Sequence, residues 1–457
     1  MPQTFEDELE SGDDTSVERA TGPSLATLWS RRRFLQTTGG FALAATASTS
    51  LLALSACNKA PTDLPPFTFK ELERGADEAI HVAEGYDADI LIRWGDPVYA
   101  DAPLFDPMNQ TAAAQTRQFG YNNDYVGFVP LPFGNATSDH GVLCINHEYT
   151  NAALMFPNFV STDAASREQI DVTLAAHGGS IIEIARNADG KWKVVQASPY
   201  NRRLTMLDTA MDLSGPAAGH ERLKTSADPT GRRVIGTLNN CAGGITPWGT
   251  WLMGEWRFHM RFDVELEPNE PNRFGWVTEV DPLDPKSIPR KRTALGRFKH
   301  EGAESIATRK GRLAVYMGDD QRGEYLYKFV SRDAFDADNR TGNADLLDHG
   351  TLYVARFKDN GSGRWLPLTF GANGLDATNG FLSQADVLIE TRRAADTLGA
   401  TPMDRPEDVQ PNHITGRVYV ALANNKDRKA EEADGANPRG TNLWGQIVEL
   451  IPDNDDH

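Results

Sequence analysis

Short runs of β-branched and aromatic residues, each closed by glycine, asparagine, aspartate or proline, recur along most of this chain and leave little room for helices. They read as strands at YVGFVPL, HGVLCINHEY, SIIEIAR, KWKVVQ, TWLMGEWRF, GWVTEVD, RLAVYMGDD, EYLYKFV, TLYVARF, RWLPLTF, GRVYVALAN and GQIVELI. Helical periodicity is confined to DAASREQIDVTLAA (163–176) and SQADVLIETRRAADTL (383–398). The expected class is all-β. A strand that ends in an acidic or amide cluster, turns and begins again is the rhythm of propeller blades, as in VYMGDDQRGEYLYKFV (315–330). No strict repeat of fixed period is visible, so pattern alone leaves a sandwich open. The connections 196–235 and 425–442 are long enough to be functional or mobile.

The chain of 457 residues, 40% hydrophobic and 24% charged, can bury a sizeable core as one large domain or a few ordinary ones. Its formal net charge of −18 argues against binding nucleic acid, which needs a basic face. Excess carboxylate suits a solvated acidic surface or hard cations such as calcium.

The N-terminus reads as a targeting segment. Residues 1–29 are polar and acidic, SRRRFLQ (30–36) carries Arg31 and Arg32 as twin arginines, and a mildly apolar run fills 37–56. This resembles a bacterial Tat signal, which would make the Tat translocase a partner during export and place the mature protein in the periplasm or outside the cell. Leu54-Ser55-Ala56-Cys57 resembles a lipobox, so Cys57 would carry a lipid anchor; ordinary cleavage near Ala56 is the alternative. Residues 58–66 read as a linker, leaving 67–457 as the folded domain.

Cys144 and Cys241 remain in that domain, so one internal disulfide is the most it can form. Cys144, in the apolar run HGVLCINHEY, reads as a buried inert thiol. Cys241 lies in NNCAGGITPWGT (239–250), which reads as a loop of small, turn-forming residues. A thiol there is a metal ligand, a nucleophile or a small hydrophobe.

Acidic residues gather near strand ends: Glu148, Glu255, Glu279 with Asp281, Glu301 with Glu304, Asp319 with Asp320, and Glu407 with Asp408. If inner strands converge on one axis, several of these would meet, and carboxylates that repel one another need cations. Oxygen ligands suit calcium or ferric iron, and a thiolate adds a softer ligand for iron. Taken singly, strand-end carboxylates usually cap turns and face water. His147 and His300 read more readily as hydrogen-bonded structural histidines than as ligands. Arg405, followed by Pro406 and Glu407, could clamp an anionic oxygen in two places, phosphate being the commonest; a surface pair with Asp404 or Asp408 is the alternative.

The motifs NNDYVGFVPLP, INHEYT, NNCAGGITPWGT, GWVTEVDPLDP, TALGRFKHEGA, YMGDDQRGEYLYKFV, MDRPEDV and GRVYVALANN…NPRG, in this order over about 120 to 450, resemble the PhoX-type alkaline phosphatases. The resemblance implies a six-bladed β-propeller that hydrolyses phosphomonoesters at a cluster of ferric iron and calcium. It implies that Cys241, as thiolate, and the glutamates Glu301 and Glu407 bind iron, and that Arg405 contacts the phosphoryl group. Glu148, Glu255, Glu279, Asp319 and Asp320 lie in matching motifs near strand ends.

Two departures stand out. Where the family has an acidic pair after TPWGT, this chain has Glu255 followed by Trp256. Family members also continue well beyond IPDNDDH, so the expectation is a C-terminally truncated propeller. The competing expectation is accordingly a non-catalytic propeller that binds metal or an anionic ligand. A redox enzyme is disfavoured, because no dinucleotide glycine pattern, CxxC or haem-attachment motif is present.

Overall fold

The structure is a computed structural model that describes residues 70–135, 138–161, 164–257, 267–453 and 457. The twin-arginine segment, Cys57 and the 58–66 linker lie outside the described residues. The chain divides into two units, Met1–Gly85 and Tyr86–His457. The described part of the first, residues 70–85, contains no helix or strand. Among the described residues no helix is long and apolar enough to cross a membrane.

Among the described residues the second unit contains four sheets, and the fold is of the β-propeller type. The first contains β1 (Asn123–Pro130), β2 (His140–His147), β3 (Gly178–Arg186), β4 (Trp192–Val194) and β5 (Arg202–Leu204). The second contains β6 (Ala210–Ser214), β7 (Arg233–Ile235), β8 (Asn240–Ile245), β9 (Trp251–Glu255), β10 (Val277–Val280) and β11 (Arg290–Arg292). Here β8 to β11 form an antiparallel meander, and β6 joins β11 in parallel at its outer edge. The third is the meander β12 (His300–Ala307), β13 (Arg312–Asp319), β14 (Leu326–Ala334), β15 (Gly350–Phe357) and β16 (Gly363–Pro367). The fourth is β17 (Pro406–Pro411), β18 (Val418–Leu422) and β19 (Gln446–Leu450). The resemblance implies six blades; four sheets are present among the described residues.

The strands β1, β8, β12 and β17 each lead a blade and stand side by side, β8 against β1 and β12, and β12 against β17. Blade-to-blade packing is apolar. Val129, Val142, Cys144 and Ile181 meet Trp251, Met253 and Val280 between the first two blades. Leu252 and Val277 meet Leu313, Val315 and Phe329 between the second and third. Tyr316 and Leu326 meet Val409, Val418 and Val420 between the third and fourth. Full burial of such side chains contributes about 1.5–3 kcal/mol each. Both domain cysteines are buried and unpaired, and Cys144 is part of this packing, as its sequence context suggested.

The two helical segments form where periodicity placed them. One runs Arg167–Ala176 behind a Ser166/Gln169 capping box. The other breaks at Glu390 into Gln384–Ile389 and Thr391–Leu398. The stretch around Cys241 differs from expectation: it is not a loop but the inner strand β8, hairpinned to β9 through Thr246 and Thr250. Its glycines permit close neighbours, since a Cβ on Gly244 would lie 2.3 Å from the carbonyl oxygen of Ala303 in β12.

Candidate metal centre

Each inner strand delivers one side chain at the same structural position. Antiparallel register with the neighbouring strand breaks between Asn123 and Val126 in β1, Asn240 and Gly243 in β8, Glu301 and Glu304 in β12, and Pro406 and Val409 in β17. Asp124, Cys241 and Glu407 fall inside their breaks, and Glu301, still paired with Gly318, stands at the edge of its own. A register irregularity frees residues from the ladder and re-aims their side chains. Two residues before three of these positions the backbone is left-handed, at Asn122 (φ 45°), Asn239 (φ 46°) and Arg405 (φ 34°). In the third blade the left-handed residue is instead Gly302 (φ 74°), just after Glu301.

A second equivalence follows from one hydrogen bond repeated in every blade. The carbonyls of Asn122, Asn239, Lys299 and Arg405 accept from the N–H groups of Glu148, Trp256, Asp320 and Ala423, at 3.1, 2.9, 3.0 and 3.0 Å. Glu148, Trp256, Asp320 and Ala423 thus occupy equivalent places, just past the second strand of each blade. The residue before each of them points the other way, because side chains alternate along a strand.

That alternation sorts the expected ligands. Asp124, Glu148 and Cys241 place donor atoms within 4.8 Å of one another. The Cys241 thiol donates to Glu148 Oε1 at 3.2 Å, and the Ala242 N–H donates to Glu301 Oε2 at 3.3 Å. Asp124, Glu148 and Glu301 form no ion pair among the described residues. Burial, reinforced by Asp124, pushes the Glu148 carboxyl up to about 7. Asp124 keeps contact with solvent, yet burial by its surroundings, with Asp408 and Asp320, pushes it up to about 6. Burial and the charges of Asp320, Asp124 and Glu148 raise Glu301 well above the usual carboxylate range. Burial, with Glu148 and Glu301, raises the Cys241 thiol likewise.

Glu255, Glu279 and Asp319 were expected near the cluster, but the structure commits each to a cationic side chain, buried for the first two and partly buried for the third. Glu255 accepts from Lys291 Nζ at 2.7 Å and from the backbone N–H groups of Gly275 and Trp276. Glu279, on the third strand of its blade, pairs with Arg292 at 2.6 Å and accepts from Thr250 and Trp248. Asp319 is gripped by Nε and Nη2 of Arg392. Glu255 and Asp319 occupy the outward-alternating position; their neighbours Trp256 and Asp320 take the inward one.

Asp320 borders the cluster but is held by Arg405, whose Nε and Nη2 donate to its two oxygens at 2.9 Å each. Arg405 also meets Glu407 at 3.2 Å. Burial works against the guanidinium charge, but Asp320 and Glu407 raise its pKa above the ordinary value. Its partners are therefore Asp320 and Glu407, not the Asp404 or Asp408 surface pair weighed from sequence; Asp404 is instead paired with Arg428. His147 and His300 are buried and hydrogen-bonded to Ser180 and the Gly296 carbonyl, the structural role favoured for them. Asp124 was missed as a candidate; its signal was the acidic residue opening the strand in NNDYVGF. A cavity of about 370 Å³ lined by Arg312, Ser331, His349 and Tyr353 on the third blade shares none of these residues.

The sequence model for alkaline phosphatase PhoX matches residues 67–457. The chain belongs to the PhoX alkaline phosphatase family. It is also similar to a solved structure described as Pseudomonas fluorescens PhoX in complex with vanadate, a transition state analogue. The two are 43% identical, with a TM-score of 0.79 over 85% of this chain and 74% of that one. No curated protein matches. Within the PhoX frame, the donor set can be tested against a metal. Carboxylates from an inner strand and a strand end, Asp124 and Glu148, lie beside one sulfur, with Glu301 bonded next to it, and none of the three carboxylates forms an ion pair among the described residues. A carboxylate–thiol group of that kind, with its acids pushed up in the absence of a counter-charge, suits a multivalent cation.

Proposed function

We propose that this chain hydrolyses phosphomonoesters at a metal-assisted site where the inner strands of its blades converge. The observation that carries this reading is the grouping of Asp124, Glu148 and Cys241 within 4.8 Å, with buried Glu301 bonded beside them. Ferric iron and calcium are the ions we propose, from the resemblance of the motifs and the sulfur-plus-oxygen donor set. Cys241, Glu148, Glu301 and Asp124 would hold iron, with Glu407 adding a further oxygen. Bound there, these ions would neutralise phosphoryl oxygens and activate water for attack.

The protein's own contribution is charge balance and orientation. Left alone, the Cys241 thiol keeps its proton; a cation in the group reverses that preference, so thiolate and ion arrive together. Arg405 is held as a fork by Asp320, with its Nη1 hydrogen-bonded to no described residue. A guanidinium fixed on one edge is prepared to donate from the other to a phosphoryl oxygen as charge spreads over it. No step requires Glu255, Glu279 or Asp319, which already balance the chain's own cations.

Export through the Tat translocase, into the periplasm or beyond, accords with this assignment, because that route carries proteins folded around their ions. Lipid attachment at Cys57 would keep the enzyme at the cell envelope. The test is metal analysis of the folded protein together with p-nitrophenyl phosphate hydrolysis, with and without calcium. Bound iron with calcium-dependent turnover is expected. Absence of iron overturns the cluster, and bound metal without turnover leaves a metal-binding propeller.

A further inference from the structure

Trp256 occupies the second blade's inward position, the place filled by Glu148 in the first blade and Asp320 in the third. It is buried, 9% exposed. Its indole N–H donates to Asp320 Oδ2 at 2.8 Å. The Lys299 ammonium lies 4.2 Å from its ring centre and the Arg257 guanidinium 5.0 Å. Asp320 consequently accepts three N–H groups, one from Trp256 and two from Arg405.

We propose that Trp256 is a positioning residue that commits Asp320 to Arg405 instead of to a metal ion. A carboxylate at 256 would place two anions side by side, and they would need a cation between them. The indole supplies a hydrogen-bond donor in place of that second anion. Its electron-rich faces hold two of the protein's own cations nearby, so the sector is balanced without a further ion. Asp320, with three of its lone-pair sites directed at N–H groups, fixes the edge of Arg405 and so the direction of its remaining donors. The second blade then differs from its neighbours in function: it supplies the Cys241 sulfur from its first strand and an arginine-positioning indole from its second.

This inference rests on the metal-centre reading above, and the test separates the two. Calcium and iron per chain are measured by mass spectrometry in the wild type, W256E and W256F, and orthovanadate affinity by calorimetry. W256E is expected to retain iron and gain a further calcium ion, since Asp320 then shares a cation with its new neighbour. W256F keeps a ring for Lys299 and Arg257 but loses the donor. It should hold wild-type metal and bind vanadate roughly tenfold more weakly, the effect of one lost hydrogen bond to a charged group. Wild-type vanadate affinity in W256F overturns the proposal, and so does unchanged calcium in a folded W256E. If W256E does not fold, the W256F affinity decides alone. A wild type without iron and calcium overturns the metal centre itself.

Discussion

Arg405 and Asp320 meet edge to edge, Nε and Nη2 of the guanidinium each 2.9 Å from a carboxylate oxygen, across two blades of the propeller. The pair ties Arg405 of the fourth blade, the proposed phosphoryl contact, to the strand end of the third. Lysine at 405 preserves the charge but offers no planar fork. R405K is expected to lower kcat/KM for p-nitrophenyl phosphate by about 100-fold or more, the scale of removing one preorganised donor. Its bound iron and its melting temperature should stay near wild type. Near-wild-type turnover would remove Arg405 from the phosphoryl site.

Cys241 divides ligand from packing residue in a single substitution. C241A removes one buried sulfur and leaves Glu148 without its thiol donor. Iron content should fall to background while calcium is partly retained. If the residue merely packs, the variant keeps its iron and loses only the modest stability expected of a small buried hydrophobe.

The carboxylate group gives the metal-free protein a characteristic pH dependence. Glu148 and Glu304 are both pushed up to about 7 by burial first, aided by Asp124 and Asp408 respectively. Their folded pKa values exceed the unfolded values, so the folded state holds extra protons between about pH 4.5 and about pH 7. Stability in chelator therefore falls as pH rises through that window. Buried His147, His177 and His300, all lowered by burial, tilt the same window the opposite way. Their contribution is present with or without metal and cancels in a difference. The gap between melting temperatures of the metal-loaded and the EDTA-treated protein should widen from about pH 5 to about pH 7, through Glu148. A constant or narrowing gap would show that the bound ions do not depend on ionised Glu148.

The outer strands were legible because their faces pack between blades. The apolar runs that became β13, β14 and β15 carry Leu313, Val315, Phe329 and Val354 into one core. The inner strands β8, β12 and β17 were not read as strands. Their sequences, NCAGGI, HEGAESIA and PEDVQP, are rich in glycine, glutamate and proline. Close approach to neighbouring backbones demands glycine there, and the proposed ligand positions carry Cys241, Glu301 and Glu407 where an ordinary strand would carry β-branched or aromatic residues. The blade repeat was hidden for a related reason. Its equivalent positions hold Asp124, Cys241, Glu301 and Glu407, alike in place but not in residue type. Neither could the sequence distinguish Asp319 from Asp320, because alternation along a strand end depends on register.

Glu255 supplies the sharpest contrast between a ligand and a structural carboxylate. It and Lys291 are both fully buried at 2.7 Å, with Lys291 also over the Phe274 ring and bonded to the Arg273 carbonyl. Breaking a buried pair leaves one charge unbalanced and costs about 3–5 kcal/mol. K291M should therefore lower stability by that amount in denaturant titration, leaving Glu255 stranded beside the N–H groups of Gly275 and Trp276. E255Q should be destabilised in the same sense, because Lys291 then lacks its counter-charge. Both variants, once folded, are expected to bind wild-type amounts of iron and calcium and to turn over substrate within a few-fold of wild type. A selective loss of one metal in E255Q with stability intact would return Glu255 to the cluster and would mean that Lys291 moves aside when the ions enter.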